Sequence, residues 1–408
     1  MDAVVLAAGQ GVRLRPLTST RPKPMLPVAG KPILEWSLSA LEKAGVRNVY
    51  IVVGFRKEVI TDYFGRKYGR LKVHYIEQKE QLGTANAVGV ACGKVSGDFI
   101  VMNGDVFVTS EFIKSLISGH RKSGAQASMG VVEVTKPQDY GIVEVSRSRV
   151  ISLEEKPDKP KSNLANAGVY VFNESVFKLI SDVKKSERME YEITDAIKTL
   201  IRTSGVHANK CGGQWIDIGT PWNLLDANEI VMKTTPLTRS RKAVVEKHAV
   251  IKGKVALGEG TRILPGTYIE GPAYIGRDCK IGPNCYIRPH TAIMDCCHIG
   301  NAVEIKNSII MAKTNVGHLS YVGDSIIGER CNFGAGTLVA NLRFDNQEVK
   351  VEVKNQMVKS GRRKFGCLMG DNVKTGINVS IMPGRSIYPN AMVEAGTVVK
   401  NTIYSEEK

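Results

Sequence analysis

No stretch of this 408-residue chain approaches the roughly 18 consecutive apolar residues of a membrane span. Its first residues read as a strand rather than as a charged-then-apolar leader. A cytoplasmic protein with no membrane partner is expected. Aromatic residues are scarce, at 6%, so the stacking platforms of single-strand nucleic-acid binders are missing and no nucleic-acid partner is expected. There are eight cysteines but no CxxC pair, and Cys296-Cys297 is vicinal, a poor spacing for zinc or a redox motif. Two phosphate-binding fingerprints are also absent: a dinucleotide loop needs a third glycine where Leu14 stands, and a Walker loop needs Gly-Lys-Ser/Thr where Gly30-Lys31-Pro32 stands.

Acidic residues are the minority, 40 against 56 Lys and Arg, which leaves a net charge of +16. Basic residues run along the whole chain, and the densest patch is Arg362-Arg363-Lys364. Phosphorylated small molecules are the economical partners for such a balance. The length exceeds what one core usually holds, so two domains are expected.

The most informative stretch is LAAGQGVRLRPLTSTRPKPML, from Leu6 to Leu26. Asp2 to Leu6 is apolar and β-branched enough for a buried strand. Ala7, Ala8, Gly9 and Gly11 then remove side chains where a backbone would approach an anion, leaving peptide N–H groups to bind it. Arg13 follows the glycine turn, and Lys23 sits between Pro22 and Pro24, which restrict its backbone; a fixed pair of cations suits a polyphosphate. Further on, Ile33 to Ala44 has helical spacing, whereas Val49 to Val53, Val73 to Ile76 and Phe99 to Met102 read as strands. That βαβ rhythm predicts a mostly parallel sheet with helices on both faces and a ligand at the carboxyl ends of the strands.

Two carboxylates have the setting of Mg²⁺ ligands: Asp105 after the strand ending at Met102, and Asp217 within Gln214-Trp215-Ile216-Asp217-Ile218-Gly219-Thr220. In Gln78-Lys79-Glu80-Gln81-Leu82-Gly83-Thr84-Ala85, the amides of Gln78 and Gln81 can pair with a pyrimidine's imide edge while Gly83 lets the ring approach. Read alone, that run is a polar loop and helix cap.

GxGxRLxPLT followed by PKPMLP resembles the sugar-1-phosphate nucleotidylyltransferases. The resemblance implies a Rossmann-like α/β domain over residues 1–230, with Leu6, Ala7, Ala8, Gly9, Gly11, Gln78, Gln81, Gly83 and Thr84 on the nucleotide. It makes Arg13 and Lys23 catalytic and Asp105 and Asp217 the Mg²⁺ ligands, and it carries over Gly141, Glu154, Lys156 and Asn166 as sugar-phosphate contacts. Bacterial two-domain members carry Asn where Asp217 stands, which leaves the base and sugar preference open. No histidine is required for this reaction, since the attacking sugar phosphate is already an anion.

After a linker at 231–243 the sequence changes period. Ile251, Leu257, Ile263, Ile269, Ile275, Ile281, Ile287, Ile293, Ile299 and Ile305 recur every six residues; if aliphatics fill about a quarter of positions, ten in phase arise by chance about once in a million. The phase slips and is expected to resume at Tyr321, Ile327, Phe333 and Val339. It then breaks from about residue 342 to 368 and returns with Met369, Thr375, Ile381, Ile387, Val393 and Val399. The pattern resembles an all-β left-handed parallel β-helix over 244–408. Cys279, Cys285, Cys297 and Cys331 each lie four residues after a repeat aliphatic, where a small inward side chain is expected.

Gly317-His318-Leu319-Ser320-Tyr321-Val322-Gly323-Asp324 and Asn332-Phe333-Gly334-Ala335-Gly336-Thr337 break the repeat with polar residues. They resemble the acetyltransferase half of the bifunctional enzymes of UDP-N-acetylglucosamine synthesis, in an archaeal-like form. The resemblance implies His318 as general base and Arg288, Lys306, Tyr321 and Asn332 on the sugar phosphate. Ala335 and Asn341 go to acetyl-coenzyme A, and the assembly is expected to be a homotrimer. UTP, a hexosamine-1-phosphate and acetyl-coenzyme A are then the substrates. Asn341-Leu342 replaces the Asn-Tyr of the bacterial pattern, and the interruption carries Lys350, Lys359, Arg362 and Arg363, cations that suit coenzyme A phosphates or a solvated loop equally. A single-activity thymidylyl- or guanylyltransferase with a structural β-helix, and a non-enzymatic assembly subunit, are the competing readings.

Overall fold

The computed structural model describes residues 1–187 and 189–404. The chain divides into two compact units that are not contiguous in sequence: Met1–Gln10, Pro22–Met25 and Ile33–Asp217 form the first, and Gly11–Arg21, Leu26–Pro32 and Ile218–Lys408 the second.

The first unit is built on a ten-stranded sheet. Its order is Gly141–Ser146, Arg149–Glu155, Val206–Lys210, Ala127–Glu133, Leu164–Asn173, Asp98–Asn103, Asp2–Ala7, Asn48–Val53, Leu71–Glu77, Lys67–Tyr68. The expected parallel set is there: Asp2–Ala7 lies between Asn48–Val53 and Asp98–Asn103, and Leu71–Glu77 extends it, all parallel. The sheet as a whole is mixed rather than mostly parallel. Leu164–Asn173 runs antiparallel to both its neighbours, Asp98–Asn103 and Ala127–Glu133, and strand direction is not encoded in hydrophobic period. Helices cover the sheet through apolar stripes. In Ile33–Lys43, residues Ile33, Leu34, Ser37, Leu38, Ala40 and Leu41 are buried at helical spacing, and Ser110–Ser123 ends on Gly124 in the left-handed region with its N–H on His120 O. Buried side chains form one core on each face of the sheet.

In the second unit the six-residue period becomes three stacked parallel sheets of eight, eight and seven strands, the arrangement of a left-handed parallel β-helix. Val244 pairs with Arg262, Arg262 with Lys280 and Lys280 with His298, steps of 18 residues, so each coil contributes one short strand to each face. The repeat aliphatics form one continuous core with Cys279, Cys285, Cys297 and Cys331, each at most 2% exposed. These thiols serve as small inward fillers, and no group of three or more metal-binding side chains occurs among the described residues.

One expectation on phase is corrected. Tyr321 is half-buried, whereas Val322 is fully buried and stacks between Ile305 and Val339. The inward series runs Ile305, Ile310, Val316, Val322, Ile327, Phe333, Val339, so two hexads have lost a residue, between Ile305 and Ile310 and between Val322 and Ile327. The interruption beyond Val339 holds the hairpin Lys350–Val353 and Gln356–Lys359, anchored by buried Val349, Val351 and Phe365.

The helix Pro221–Thr234 also belongs to this unit. Proline opens it after a Thr220/Asn223 capping box. Fully buried Asn228 accepts the Ala29 N–H at 2.9 Å and donates to His290 O at 2.8 Å. Among the described residues no helix is long and apolar enough to cross a membrane.

Candidate functional sites

Four parallel strands of the first unit end in register, with Leu6 opposite Asn103, Ala7 opposite Val53 and Val53 opposite Glu77. The residues that follow them, Ala8-Gly9, Gly54, Gln78 and Gly104-Asp105, therefore collect at one edge of the sheet. Backbone bonds fix this rim: Gly104 N–H donates to Leu6 O at 2.9 Å, Phe55 N–H to Ala8 O at 3.1 Å and Gln78 N–H to Val53 O at 2.8 Å. Ala7 and Ala8 are buried, while Gly9 is exposed and a Cβ there would meet nothing within 4 Å.

Lys23 is buried between buried Pro22 and Pro24, and its Nζ lies 2.5 Å from Asp105 Oδ2. The strand Val106–Val108 continues from Asp105 and pairs antiparallel with Trp215–Asp217, which sets Asp217 opposite Val106. Two carboxylates far apart in sequence are thus anchored on one two-stranded ribbon. Two hard oxygen donors are the kind of protein ligand Mg²⁺ takes beside water and substrate phosphates.

The four residues expected on the sugar phosphate are brought near one another through strand pairing. Gly141 pairs with Glu155 and Ile142 with both Glu154 and Ala165, bringing Gly141, Glu154 and the following Lys156 beside the Asn166 strand. Lys156 adopts φ 48° with its N–H on Tyr140 O. Asn166 begins a β-bulge, donating to Tyr170 Oη at 2.8 Å and accepting Gly168 N–H at 3.0 Å. Burial, first, holds the Tyr170 phenol well above its usual range. Trp215 locks the bulge from outside by donating to Ala167 O at 2.8 Å, with its ring 5.7 Å from that of Tyr140.

The amide run has a mixed placement. Gln81 is exposed, but Gln78 is 4% exposed and donates to Gly83 O at 3.2 Å and Asn86 Oδ1 at 2.7 Å, so both its amide hydrogens brace the loop. Gly83 has φ 112°, and a Cβ there would lie 2.5 Å from Tyr191 O, a contact only glycine avoids. Thr84 Oγ1 accepts the Ile193 N–H, tying the loop to the helix Ile193–Thr203.

Gly11 and Arg13 belong to the second unit. Gly11, in the left-handed region at φ 63°, caps the 3-10 turn Val12–Leu14 and accepts a bond from Thr18 Oγ1; Arg13 is exposed on that turn.

On the β-helix, Lys306, Tyr321 and Asn341 converge on Asp324, a carboxylate the sequence reading did not single out. Asp324 is 3% exposed. Lys306 Nζ is 3.3 Å from its Oδ2, Asn341 Nδ2 is 2.5 Å from the same atom, and Asn307 Nδ2 is 2.7 Å from Oδ1. Asn341 Nδ2 also reaches Tyr321 Oη at 3.2 Å. Burial, then the charges of Asp324 and Glu304, keep the Tyr321 phenol above its usual range. Arg288 stacks one row away, paired with Glu304 at 2.9 Å.

His318 ends the strand Asn315–His318 opposite Asn301, at the corner that precedes Tyr321, exposed, and its carbonyl accepts from Ser320 Oγ and Gly336 N–H. Ala335 sits in that same Gly334–Gly336 turn. Asn332 is the exception: it lies at the start of its strand, between Asn315 and Lys374, whereas His318 lies at the end of the neighbouring one. Lys350 and Lys359 face each other across the inserted hairpin, and Arg362 is engaged by Asp226. Asp324 closes the Gly317–Asp324 run; an acid after glycine reads as a turn until its partners are seen.

The nucleotidyl transferase family profile matches residues 2–234, and the profile of the GMPPB C-terminal domain matches residues 269–403. The chain is similar to the "Bifunctional protein GlmU" of Methanococcus aeolicus, 45% identical over 99% of this chain and 95% of that protein. It is equally similar to that of Methanocaldococcus jannaschii, 45% over 99% and 96%. The "Bifunctional sugar-1-phosphate nucleotidylyltransferase/acetyltransferase" of Sulfurisphaera tokodaii is 41% identical over 99% and 98%. Among solved structures, UDP-glucose pyrophosphorylase from Acinetobacter baumannii and a putative glucose-1-phosphate thymidylyltransferase from Bacillus anthracis each superimpose with TM-score 0.53 at 27% identity. They cover 58% and 56% of this chain and 94% of theirs.

Proposed function

We propose a function from the premise that this chain belongs to the nucleotidyl transferase family and, over nearly its whole length, to the bifunctional sugar-1-phosphate nucleotidylyltransferase/acetyltransferases. It acetylates glucosamine-1-phosphate with acetyl-coenzyme A and then couples the product to UTP, releasing pyrophosphate and UDP-N-acetylglucosamine. The observation that carries this is that each unit has its own polar cluster, the strand-end rim with Lys23 and Asp105 in one and, in the other, the Asp324 knot at the end of the strand that follows His318.

In the acetyl step the hexosamine amine attacks the thioester carbonyl. The N–C bond forms and the C–S bond breaks; His318 takes the proton the amine sheds and returns it to the departing sulfur, so coenzyme A leaves as the thiol. Lys306, Arg288 and Tyr321 hold the sugar phosphate, with Asp324 fixing Lys306 and Asn341. In the second step an oxygen of the sugar phosphate bonds to the α-phosphorus of UTP and pyrophosphate departs; alignment and charge neutralisation suffice, with no base needed. Arg13 and Lys23 stabilise the charge that develops on the leaving group. Asp105 and Asp217 would hold Mg²⁺, which supplies further neutralisation of the phosphates when bound.

A homotrimer is part of this reading. One ladder of the helix aligns Val250, Tyr268, Tyr286, Glu304, Tyr321, Leu338, Ser380 and Val398 on a single outer row, a largely apolar and aromatic surface suited to a neighbouring coil.

The test is mass spectrometry of purified protein with glucosamine-1-phosphate, acetyl-coenzyme A, UTP and Mg²⁺. Formation of UDP-N-acetylglucosamine is expected. Nucleotide transfer without acetylation would reduce the second unit to a scaffold.

A further inference from the structure

The segment Gly11–Arg21 belongs to the second unit, and its last residue is bound there by two carboxylates. Arg21 Nη1 lies 2.7 Å from Glu329 Oε1 and Nη2 lies 2.6 Å from Asp371 Oδ2. The same Asp371 oxygen accepts from Thr20 Oγ1 at 2.6 Å, and its other oxygen accepts the Glu329 N–H at 2.8 Å. The Arg21 side chain is 11% exposed and that of Asp371 only 3%. Glu329 and Asp371 stand at corners of successive coils, joined by Asn372 N–H on Glu329 O, and neither belongs to the cluster around Asp324.

This arrangement is costly. Burial pulls the Arg21 pKa down, and Asp371 and Glu329 more than reverse it, leaving it raised. Arg21 Nε is buried with no hydrogen-bond partner among the described residues. Apolar residues of similar volume often replace a buried ion pair at no loss of stability, so what such a pair secures best is one particular geometry. The same segment is met a second time: Val12 and Arg15 line one pocket with Glu352, Lys354 and Tyr388.

We infer that Glu329 and Asp371 are positioning residues for nucleotidyl transfer: by clamping Arg21 they fix the Gly11–Arg21 segment, and with it Arg13, in the conformation used on the triphosphate. The inference rests on the proposed role of Arg13. It makes one catalytic step depend on two β-helix corners that the acetyl step does not use.

The experiment takes the full-length protein with Asp371→Asn, Glu329→Gln and Arg21→Lys. It measures pyrophosphate release from UTP and N-acetylglucosamine-1-phosphate, acetyl transfer, and thermal unfolding. Asp371→Asn is expected to lower kcat of nucleotidyl transfer by about tenfold to a hundredfold, the usual effect of misplacing a reacting group by about 1 Å. KM for the sugar phosphate and the acetyl rate should hold to within about twofold. Arg21→Lys, which keeps a charge without the fork, should fall between. A structural role alone would not produce the decisive signature: in an Arg13→Ala background, Asp371→Asn should cost almost nothing more. Should Asp371→Asn unfold the protein, Glu329→Gln and Arg21→Lys carry the same comparison. Unchanged nucleotidyl transfer in folded variants, or losses that simply multiply with that of Arg13→Ala, overturn the inference alone. A wild type that releases no pyrophosphate overturns the proposed function and this inference with it.

Discussion

Lys23 Nζ and Asp105 Oδ2 are 2.5 Å apart, a charge-assisted contact between a cation assigned to the triphosphate and a carboxylate assigned to the metal. Each partner balances the other until ligands of opposite sign arrive to share the same rim. Lys23→Ala should therefore lose about 10²-fold in kcat of nucleotidyl transfer, the scale of one preorganised charge. The partly exposed Asp105 is left in contact with water, so the unfolding midpoint should move by only about 2–4 °C. Steady-state kinetics and a thermal melt test both; a rate loss below tenfold counts against the assigned role.

Asp217 is placed by the ribbon that pairs Val106–Val108 with Trp215–Asp217. Loss of an outer partner of a metal ligand already costs 10–100-fold in metal affinity, so Asp217→Ala should raise the Mg²⁺ concentration for half-maximal nucleotidyl transfer by about tenfold or more. Acetyl transfer should be unchanged. A Mg²⁺ titration of both activities in one preparation checks this.

His318 is exposed at the end of its strand, so His318→Ala should leave folding intact. Acetyl transfer should fall by roughly 10²–10⁴-fold, the contribution of a positioned general base. The variant should still make UDP-N-acetylglucosamine from supplied N-acetylglucosamine-1-phosphate. Product masses from the two substrate mixtures decide it.

Burial, first in each case, lowers the pKa of His207, His290 and His298 below the ordinary 6.5. In the unfolded chain they take up protons at pH 6.5, and in the folded protein only at lower pH. The unfolded state binds more protons between those limits, so stability falls as pH drops from about 7 through 6. Thermal melts across that range should show a declining midpoint, and a flat profile would contradict the assignment.

The hexad repeat was legible because an inward aliphatic every six residues needs no knowledge of distant partners. It failed by one residue at Tyr321, since the step from Val322 to Ile327 is five residues rather than six, which puts Val322 inward and turns Tyr321 outward. The phosphate-binding run was legible for the same local reason. What sequence did not disclose depends on which distant segments meet. The antiparallel insertion of Leu164–Asn173, the pairing that sets Asp217 beside the strand from Asp105, and the Asp324 knot all join residues whose spacing carries no period. Gln78 shows the converse limit, since its type suits a base edge but both its amide hydrogens are used within the loop.

The uniform 18-residue register of the first coils makes the β-helix a ruler. Each coil adds about 4.8 Å of height. The two coils from Val244 to Cys279 carry none of the candidate site residues and lift the Arg288 row by roughly 10 Å above the helix start. Because Lys280 repeats the face position of Val244 and Arg262, a whole coil can be removed or duplicated there without turning any inward side chain outward. Coil number in this stretch is therefore an adjustable height, set in discrete steps and independent of the chemistry above it.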